Sequence, residues 1–266
     1  MSVPTIEQRM ALQHRPDQPA IMHQRWEDLL FLHWQANADD IQRTLPPGLT
    51  VDCHDGKAYL AIVPFKMRAI RPRGLPPVPY LSNFLECNVR TYVHDAKGVP
   101  GVWCNVRTYV HDAKGVPGVW FYSLDTDRWL AYWVARKCFR LPYVWSSMNS
   151  QMTGHNHRYQ VRRRGEDEPS DYVFESEAET RVTDPGSLDF FLLERYLLYS
   201  FNVRKNQLHR GRVYHKPYQM SEITNHRWNS NPIAWNALPE PTGPPVHACY
   251  SKRVVVEVFP LERVSG

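Results

Sequence analysis

The sequence predicts an α+β fold built on a mainly antiparallel sheet or barrel. Segments with strand-like alternation outnumber helical segments, and the two kinds do not alternate along the chain as they do in parallel α/β proteins. The hydrophobic fraction of 42% and the aromatic fraction of 12% are typical of a folded protein with a substantial core. No linker rich in glycine or serine divides the chain, so we expect one domain over residues 1–266 with an irregular N-terminal arm over residues 1–20.

Periodicity and terminating residues assign the individual elements. Asn37 begins a short helix that a Pro-Pro-Gly sequence ends, and Ser187 is the expected N-cap of a helix with the sequence LDFFLLERYLLYS. A further helix is predicted at 127–139, where one face is apolar and a proline follows. The dipeptide Asp55-Gly56 predicts a hairpin turn. Strands are predicted at 25–34, 49–54, 57–67, 143–152, 157–163, 172–182, 211–218 and 247–259.

A 17-residue segment, CNVRTYVHDAKGVPGVW, occurs twice in tandem, at 87–103 and again at 104–120. Each copy contains one alternating arm, a turn and the start of a second arm, which is the pattern of a β-hairpin. The absence of any difference between the copies indicates a recent in-frame event or an artefact of sequence assembly, since the repeats of solenoid proteins diverge.

The two copies compete for the same two arms. Keeping both original flanks assigns copy one to the first arm and copy two to the second, and leaves a loop from about His94 to Lys114. Such a loop costs about 1.5 kcal/mol of closure entropy, which an ordinary domain tolerates. Assigning copy two to both arms would put Trp103 in the place of Glu86, and a third strand wedged between the arms is another alternative.

The first arm alternates between an apolar row and a polar row, so its two faces have different surroundings. The polar row faces either water or the interior of a barrel, where an acid, a guanidinium group and a phenol would converge. The second arm continues into apolar and aromatic residues on both faces, which predicts a buried strand. The polar row consists of Glu86, Asn88, Arg90, Tyr92 and His94.

Charge and composition argue against several classes of function. The net charge of +5 is small, and the basic run at 162–164 is followed at once by acidic residues, so no nucleic-acid partner is expected. No apolar run approaches the length of a membrane span and no signal peptide is evident, so we expect a soluble cytoplasmic protein without a membrane partner. The five cysteines form no CxxC pair, so we expect no metal site, no cofactor and no disulfide framework.

Three further groups of polar residues have both structural and functional interpretations. His155 and His157 share one face of a strand, but nothing in the sequence supplies further metal ligands, which favours a strand end in water. The pair Glu194 and Arg195 either places a charge near a cavity or forms a surface ion pair that holds a helix. His215, between aromatic residues, is either a structural histidine bonded to a carbonyl or a base in a cavity.

Seven stretches carry a resemblance to a known family once one copy of the repeat is removed. They span about residues 25 to 220: LLFLHWQAN, LPPGL, DGKAYLAIVPFKMRAIRPRGLPPVP, ECNVRTYVHDAKGVPGVWFYSLD, FRLPYVW, FLLERYLLYS and GRVYHKPYQM. In these stretches the chain resembles the YqjF-like family of uncharacterised bacterial proteins, which is grouped with the acetoacetate decarboxylase superfamily. The resemblance implies a cone-like, open antiparallel barrel around a small-molecule cavity.

The same resemblance bears on chemistry. The decarboxylases of this superfamily form a Schiff base on a lysine shortly after a turn that matches 140–142 here, but Tyr143, Val144 and Trp145 follow instead of a lysine. We therefore expect a barrel that binds a small organic ligand, anionic or carbonyl-containing, without a Schiff base. The alternative is an enzyme that acts on small carbonyl or carboxylate substrates by acid–base chemistry. The candidate ligand contacts are Glu86, Arg90, Tyr143, Trp145 and His215.

Overall fold

The computed structural model describes residues 4–95, 116–129, 132–133 and 141–264 of the chain. Four helices with described bounds are α1 (Ile6–Ala11), α2 (Ala38–Thr44), α3 (Leu188–Leu193) and α4 (Asn231–Ala234). The strands are β1 (Met22–Ala36), β2 (Leu49–Val51), β3 (Ala58–Pro72), β4 (Phe84–Asp95), β5 (Pro117–Thr126), β6 (Tyr143–Thr153), β7 (Asn156–Arg163), β8 (Ser170–Ser176), β9 (Leu197–Asn202), β10 (Gln207–Tyr214), β11 (Met220–Ser221), β12 (Ile223–Arg227) and β13 (His247–Arg263). None of these helices is long and apolar enough to cross a membrane.

Seven strands form a barrel whose hydrogen-bonded ring runs β5-β9-β10-β13-β1-β3-β4 and returns to β5. All of these pairings are antiparallel except the short parallel contact of β5 with β9. Strand β6 leaves β5 in parallel and continues into a side sheet with β7, β8 and β12. The predicted α+β fold with a mainly antiparallel barrel is confirmed, and the pairing of β4 with β5 closes the circumference that the resemblance implied to be open.

Barrel strands are buried on both faces because the side sheet covers one outer wall. Along β1, Leu29 and Phe31 join the apolar cluster inside the barrel, whereas Leu30 and Leu32 join the cluster against the side sheet. Successive side chains of a strand point to opposite faces, so this alternation places β1 between two cores. The packed strands therefore shield the sides of the barrel interior from water, and polar groups buried there are desolvated.

The tandem repeat is divided between two neighbouring strands. Copy one supplies β4 from Cys87 onwards, copy two supplies the start of β5, and the two strands pair from Glu86 with Thr126 to His94 with Pro117. The predicted assignment of the copies to the two arms is confirmed, while the predicted loop lies almost wholly at 96–115, outside the described residues. A Cβ atom on Gly118 would lie 2.7 Å from the ring of Tyr199, so this close approach of β5 to β9 requires glycine.

Deleting residues 104–120 is expected to preserve the barrel, because copy one then continues directly into the remainder of β5. The connection between His94 and the next paired residue becomes shorter, which should raise the free energy of unfolding by about 1 to 1.5 kcal/mol. Urea denaturation of both chains measures this difference. An unchanged or lower value for the shorter chain would mean that the extra segment contributes stabilising contacts.

Two local predictions differ from the structure near the N-terminus. The arm predicted to be irregular contains α1, which begins with a capping box between Thr5 and Gln8.

The predicted hairpin turn forms, but it does not join the predicted pair of strands. Asp55 and Gly56 both have positive φ angles, as the predicted turn requires, and His54 bridges to Lys57. However, β2 does not pair with β3, since both strands lie along the same edge of β4.

The predicted helices have different outcomes. Asn37 and Ser187 cap α2 and α3 as predicted. Helix α3 ends at Leu193, because the following 197–202 segment is β9 and pairs with β10 and β5. Barrel pairing thus overrides the helical periodicity of this segment. Most of the helix predicted at 127–139 lies outside the described residues.

Candidate functional site

A cavity of about 320 Å³ occupies the barrel interior. Its wall is mainly apolar, with contributions such as Phe31, Phe65 and Val213 from different strands. A mostly apolar cavity with a few polar groups is the usual form of a small-molecule site. The polar side chains that line it are Gln24, Ser82, Glu86, Asn88, Arg90, Tyr143, Arg195 and Tyr218.

Strand β4 supplies the central polar row of this cavity. Glu86, Asn88 and Arg90 all face it, as expected for alternate residues of one strand, while Cys87 and Val89 face the side-sheet core. Of the two alternatives for this row, water or a barrel interior, the structure shows the barrel interior at these three positions. Since four residues of extended strand span about 13 Å, the row places an acidic group and a guanidinium group at opposite ends of the cavity.

Glu86 and Tyr143 form the acidic end. The Tyr143 hydroxyl donates a hydrogen bond of 2.7 Å to Glu86 Oε2, and only 3% of Glu86 is exposed. Burial raises the pKa of Glu86 to about 7, against the opposing effect of hydrogen bonds from Tyr143 and Asn88. Burial and the neighbouring Glu86 hold the pKa of Tyr143 well above its usual range. At neutral pH this end of the cavity can thus either donate or accept a proton.

Replacing Glu86 with glutamine tests this pKa. A carboxyl group whose folded pKa of about 7 exceeds its usual value of 4.5 stabilises the fold below pH 4.5, and loses that contribution as the pH rises through 7. The unfolding free energy of the wild type, relative to Glu86→Gln, should fall by about 3 kcal/mol between about pH 4.5 and pH 8. Denaturation series at several pH values measure it, with the exposed Glu177→Gln as the matched control. Parallel curves for Glu86→Gln and wild type would disprove the raised pKa.

Arg90 forms the opposite end of the cavity. Its side chain is buried, with 8% exposed, and its Nε has no hydrogen-bond partner among the described residues. Nη2 reaches the Tyr92 hydroxyl and the Leu192 carbonyl only at 3.5 Å, and the guanidinium group lies 5.6 Å from the ring centroid of Phe31. Among the residues that the structure describes, Arg90 forms no salt bridge.

Arg195 is the second guanidinium group at this end. Its Nη1 donates to Asp52 Oδ2 at 2.7 Å and its Nε to the Phe191 carbonyl at 2.7 Å, while Nη2 has no hydrogen-bond partner. Arg9 from α1 also binds Asp52, with contacts of 2.6 and 2.7 Å. Burial and the nearby Arg9 lower the pKa of Arg195 to about 10. Although burial opposes ionisation of Asp52, the two guanidinium groups lower the pKa of this carboxyl.

The arginine end carries more positive than negative charge. Arg9 and Arg195 share one buried carboxylate, that of Asp52, and Arg90 adds a third buried guanidinium group that has no salt bridge within the described residues. Buried cations are normally paired with anions, because desolvation of an unpaired charge is costly. The unbonded Arg90 Nε and Arg195 Nη2 are therefore donors suited to an anionic group.

The other two candidate contacts do not line the cavity. Trp145 is 43% exposed, because β6 leaves the barrel at this residue and joins the side sheet. His215 is buried behind the wall, where its ring lies 4.6 Å from Tyr218 and 6.1 Å from Trp26. Its Nδ1 bonds to the Lys216 carbonyl at 2.9 Å, and burial lowers its pKa to about 4. The structure thus contradicts the placement of both residues in the pocket and favours the structural interpretation of His215.

Other polar residues have mixed outcomes. Glu194 and Arg195 are both buried, so they form no surface ion pair, whereas the alternative of a charge near the cavity is borne out by Arg195, which lines it. Glu194 binds the Tyr196 hydroxyl and the Tyr218 backbone N–H. His157 is buried against Phe174 instead of facing water. The feature of the sequence that points to a buried Arg195 is its position just after a capped apolar helix. No group of three or more potential metal ligands occurs in the described part of the chain.

Lysines take no part in the cavity wall formed by the described residues. Lys66 is paired with Asp28 at 2.8 Å, and Lys216 is exposed. Lys137 lies outside the described residues. At the position that follows the decarboxylase-like turn, Tyr143 projects into the cavity.

Sequence comparison finds a family match over most of the chain. The DUF2071 family, described as an uncharacterized conserved protein, matches residues 23–104 and 104–255, and the two matches meet where the second copy of the repeat begins. The uncharacterized protein YqjF of Bacillus subtilis (strain 168) is 33% identical over 256 residues, which covers 94% of this chain and 95% of that protein.

Structure comparison finds similar folds at low sequence identity. The acetoacetate decarboxylase of Legionella pneumophila has a TM-score of 0.59 at 11% identity, over 100% of this chain and 98% of that one. The enduracididine biosynthesis enzyme MppR, complexed with pyruvate, has a TM-score of 0.59 at 11% identity, over 93% and 91%. An acetoacetate decarboxylase-like enzyme of Sphingomonas wittichii RW1 has a TM-score of 0.59 at 12% identity, over 93% and 94%. These likenesses establish the fold.

Proposed function

The chain belongs to the DUF2071 family of uncharacterized conserved proteins, with YqjF as a relative, and from that premise we propose that its barrel reversibly binds a small organic anion. The anionic group lies against Arg90 and Arg195, and the apolar body fills the middle of the cavity. A carbonyl or hydroxyl group at the far end of the ligand meets Glu86 and Tyr143. The ligand is held without a covalent bond.

The observation that carries this proposal is the buried guanidinium group of Arg90. A buried cation without a carboxylate partner is costly, so an anion that pairs with it gains strong, charge-assisted hydrogen bonds. Arg195 has a donor, Nη2, that its bond to Asp52 leaves unused. Both residues line the same cavity, and their guanidinium groups lie 5.6 and 4.9 Å from the centroid of one ring, that of Tyr92, which supports a carboxylate site shared by the two.

Non-covalent binding is supported by the chemistry of the cavity wall. A Schiff base needs a lysine amine of lowered pKa, and the described wall residues include none. MppR, an enzyme of similar fold, has been determined in complex with pyruvate. Pyruvate has a carboxylate beside a carbonyl group, which makes it a suitable first probe of the arginine end.

A thermal-shift screen tests the proposal. Acetate, pyruvate, 4-oxopentanoate and hexanoate should raise the melting temperature at millimolar concentrations, because a ligand that binds only the folded state stabilises it. The corresponding neutral amides are the matched controls and should have little effect. Equal shifts with acids and amides, or no shift with any acid, would contradict an anion site.

The Glu86–Tyr143 pair supports a second candidate function, an acid–base enzyme for small carbonyl or carboxylate compounds. A carboxyl group with a pKa of about 7 is suited to proton transfer near neutral pH. In such a reaction the Glu86 carboxylate takes a proton from the carbon next to the carbonyl, and the resulting acid returns it. Deuterium exchange at the carbons next to the carbonyl group of 4-oxopentanoate in D₂O, followed by NMR, measures this activity. Exchange that is lost in Glu86→Gln supports it, and exchange at the uncatalysed rate contradicts it.

A further inference from the structure

A chain of hydrogen-bonded side chains runs from the arginine end of the cavity toward the surface. The Tyr92 hydroxyl lies 2.7 Å from His33 Nε2, and His33 Nδ1 lies 2.8 Å from His247 Nδ1. His247 Nε2 lies 3.0 Å from Asp189 Oδ1, where the Asp189 side chain is 19% exposed. At the inner end, Arg90 Nη2 lies 3.5 Å from the Tyr92 hydroxyl. We call these four residues, Tyr92 to Asp189, the histidine chain.

Proton positions in the histidine chain are fixed by its outer end. The Asp189 carboxylate only accepts, because hydrogen bonds from His247 and Arg181 lower its pKa to about 2. His247 therefore carries a proton on Nε2, and as a neutral ring it accepts on Nδ1. His33 then donates from Nδ1 and accepts on Nε2. It follows that the Tyr92 hydroxyl must donate to His33, so it is not available to the cavity.

One added proton reverses the inner part of the histidine chain. The rings of His33 and His247 then carry three N–H groups in total. One points to Asp189, one lies between the two rings, and the third points from His33 Nε2 to Tyr92. The Tyr92 oxygen then accepts, and its own O–H turns away from His33. The proton comes from solvent and binds a ring nitrogen, and no other covalent bond changes. The hydroxyl becomes a donor beside Arg90.

We propose that the His33–His247 pair is a proton-binding site coupled to the anion site, so that binding of an organic anion at Arg90 is accompanied by proton uptake. The inference rests on the proposed function, because it assigns a proton to that same anion site. Coupling of this kind is reciprocal, so the affinity for the anion rises as the pH falls.

The coupling is electrostatic and follows from the placement of Arg90. Burial is the main reason that the pKa of His33 lies well below its usual value, and the positive charge of Arg90 lowers it further. An anion bound to Arg90 offsets that charge and raises the pKa of His33. Arg195 and Arg90 lie 4.9 and 5.6 Å from the centroid of the Tyr92 ring, so both guanidinium groups of the anion site are adjacent to the inner end of the histidine chain.

Other charged or titratable groups pack against the histidine chain without replacing its role. Arg181 pairs with Asp189 at 2.6 Å and with a second carboxylate, so Asp189 stays ionised at the outer end. Burial and Asp189 keep the pKa of the Cys249 thiol well above its usual value, so that this thiol remains neutral. The groups that face the histidine chain are Arg90, Arg195, Arg181, Glu222, Cys249 and Tyr218.

Isothermal titration calorimetry with acetate and pyruvate, in two buffers of different ionisation enthalpy, measures the number of protons taken up per bound anion. We expect the count in the wild type to exceed that in His33→Gln by about 0.3 to 1 proton, because the variant lacks the paired ring. Asp189→Asn should lower the count in the same direction and serves as a second variant if His33→Gln folds poorly. His14→Gln, at an exposed histidine, should match the wild type.

The outcomes separate the two proposals. Anion binding with the same proton count in wild type, His33→Gln and Asp189→Asn overturns the coupling and leaves the anion site intact. Absence of binding for both probes in the wild type overturns the anion site, and the coupling falls with it. A reduced count in both variants, with unchanged stoichiometry of anion binding, supports the inference.

Discussion

Replacement of Arg90 with methionine is expected to abolish binding of organic anions. The side chain supplies a buried guanidinium group whose Nε has no protein partner, and charge-assisted hydrogen bonds contribute about 1.5–3 kcal/mol each. Loss of the charge and of its hydrogen bonds should weaken the affinity by about 100-fold or more. Isothermal titration with pyruvate measures this change directly.

The same replacement should not destabilise the empty protein. Arg90 has no salt bridge within the described residues, and methionine fills a similar apolar volume between Phe31 and Tyr92. The free energy of unfolding should therefore stay unchanged or increase. Arg164→Met, at an exposed arginine that lies over Trp145, is the matched control and should bind as the wild type does. Wild-type affinity in Arg90→Met would remove Arg90 from the site.

Replacement of Asp52 with asparagine is expected to give the largest loss of stability. Asp52 is fully buried and accepts hydrogen bonds from Arg9 and Arg195, so the variant leaves two buried guanidinium groups without a carboxylate. Breaking a buried ion pair in this way costs about 3–5 kcal/mol. Urea denaturation near neutral pH measures it, and a loss below about 1 kcal/mol would contradict the account of this network.

The same network predicts acid sensitivity. The folded pKa of Asp52 is lowered, so its contribution is present above the unfolded pKa and is lost as the pH falls through the folded value. The wild type should therefore lose stability in acid relative to Asp52→Asn, in which this contribution is already absent. Asp55→Asn is the matched control, because that side chain is 88% exposed.

Local patterns predicted the part of the site that lies on one strand. The alternation of β4 places Glu86, Asn88 and Arg90 on one face, and that face lines the cavity. Tyr143 was found through the resemblance, since it follows the turn that precedes the decarboxylase lysine. The division of the repeat between β4 and β5 followed from the different flanks of the two copies.

Contacts between distant segments account for what the sequence did not predict. Arg195 reaches the cavity because α3 ends at Leu193 and the chain turns into β9, an outcome decided by strand pairing rather than by periodicity. His33 and His247 are direct cross-strand partners although 214 residues separate them. Asp52 meets Arg195 across 143 residues. No local spacing encodes these pairs, since they depend on barrel register.

The barrel cavity has a carboxyl group at one end and guanidinium groups at the other. Its acidic end, at Glu86, holds a carboxyl group that is half-protonated near neutral pH, and its arginine end holds donors without partners. The fold is similar to that of acetoacetate decarboxylase-like enzymes, and the cavity wall that the described residues form contains no lysine. A shared fold does not by itself imply a shared function, so the function has to be argued from the residues of this cavity.

The most direct test of the anion site follows the guanidinium N–H resonances of Arg90 and Arg195 by ¹⁵N NMR during a titration with pyruvate, with Arg90→Met used for assignment. A carboxylate that accepts from these groups should move both side-chain signals downfield along one saturable binding curve. The account predicts this common curve and its loss in Arg90→Met. Saturable binding of pyruvate that leaves both guanidinium signals in place would contradict it.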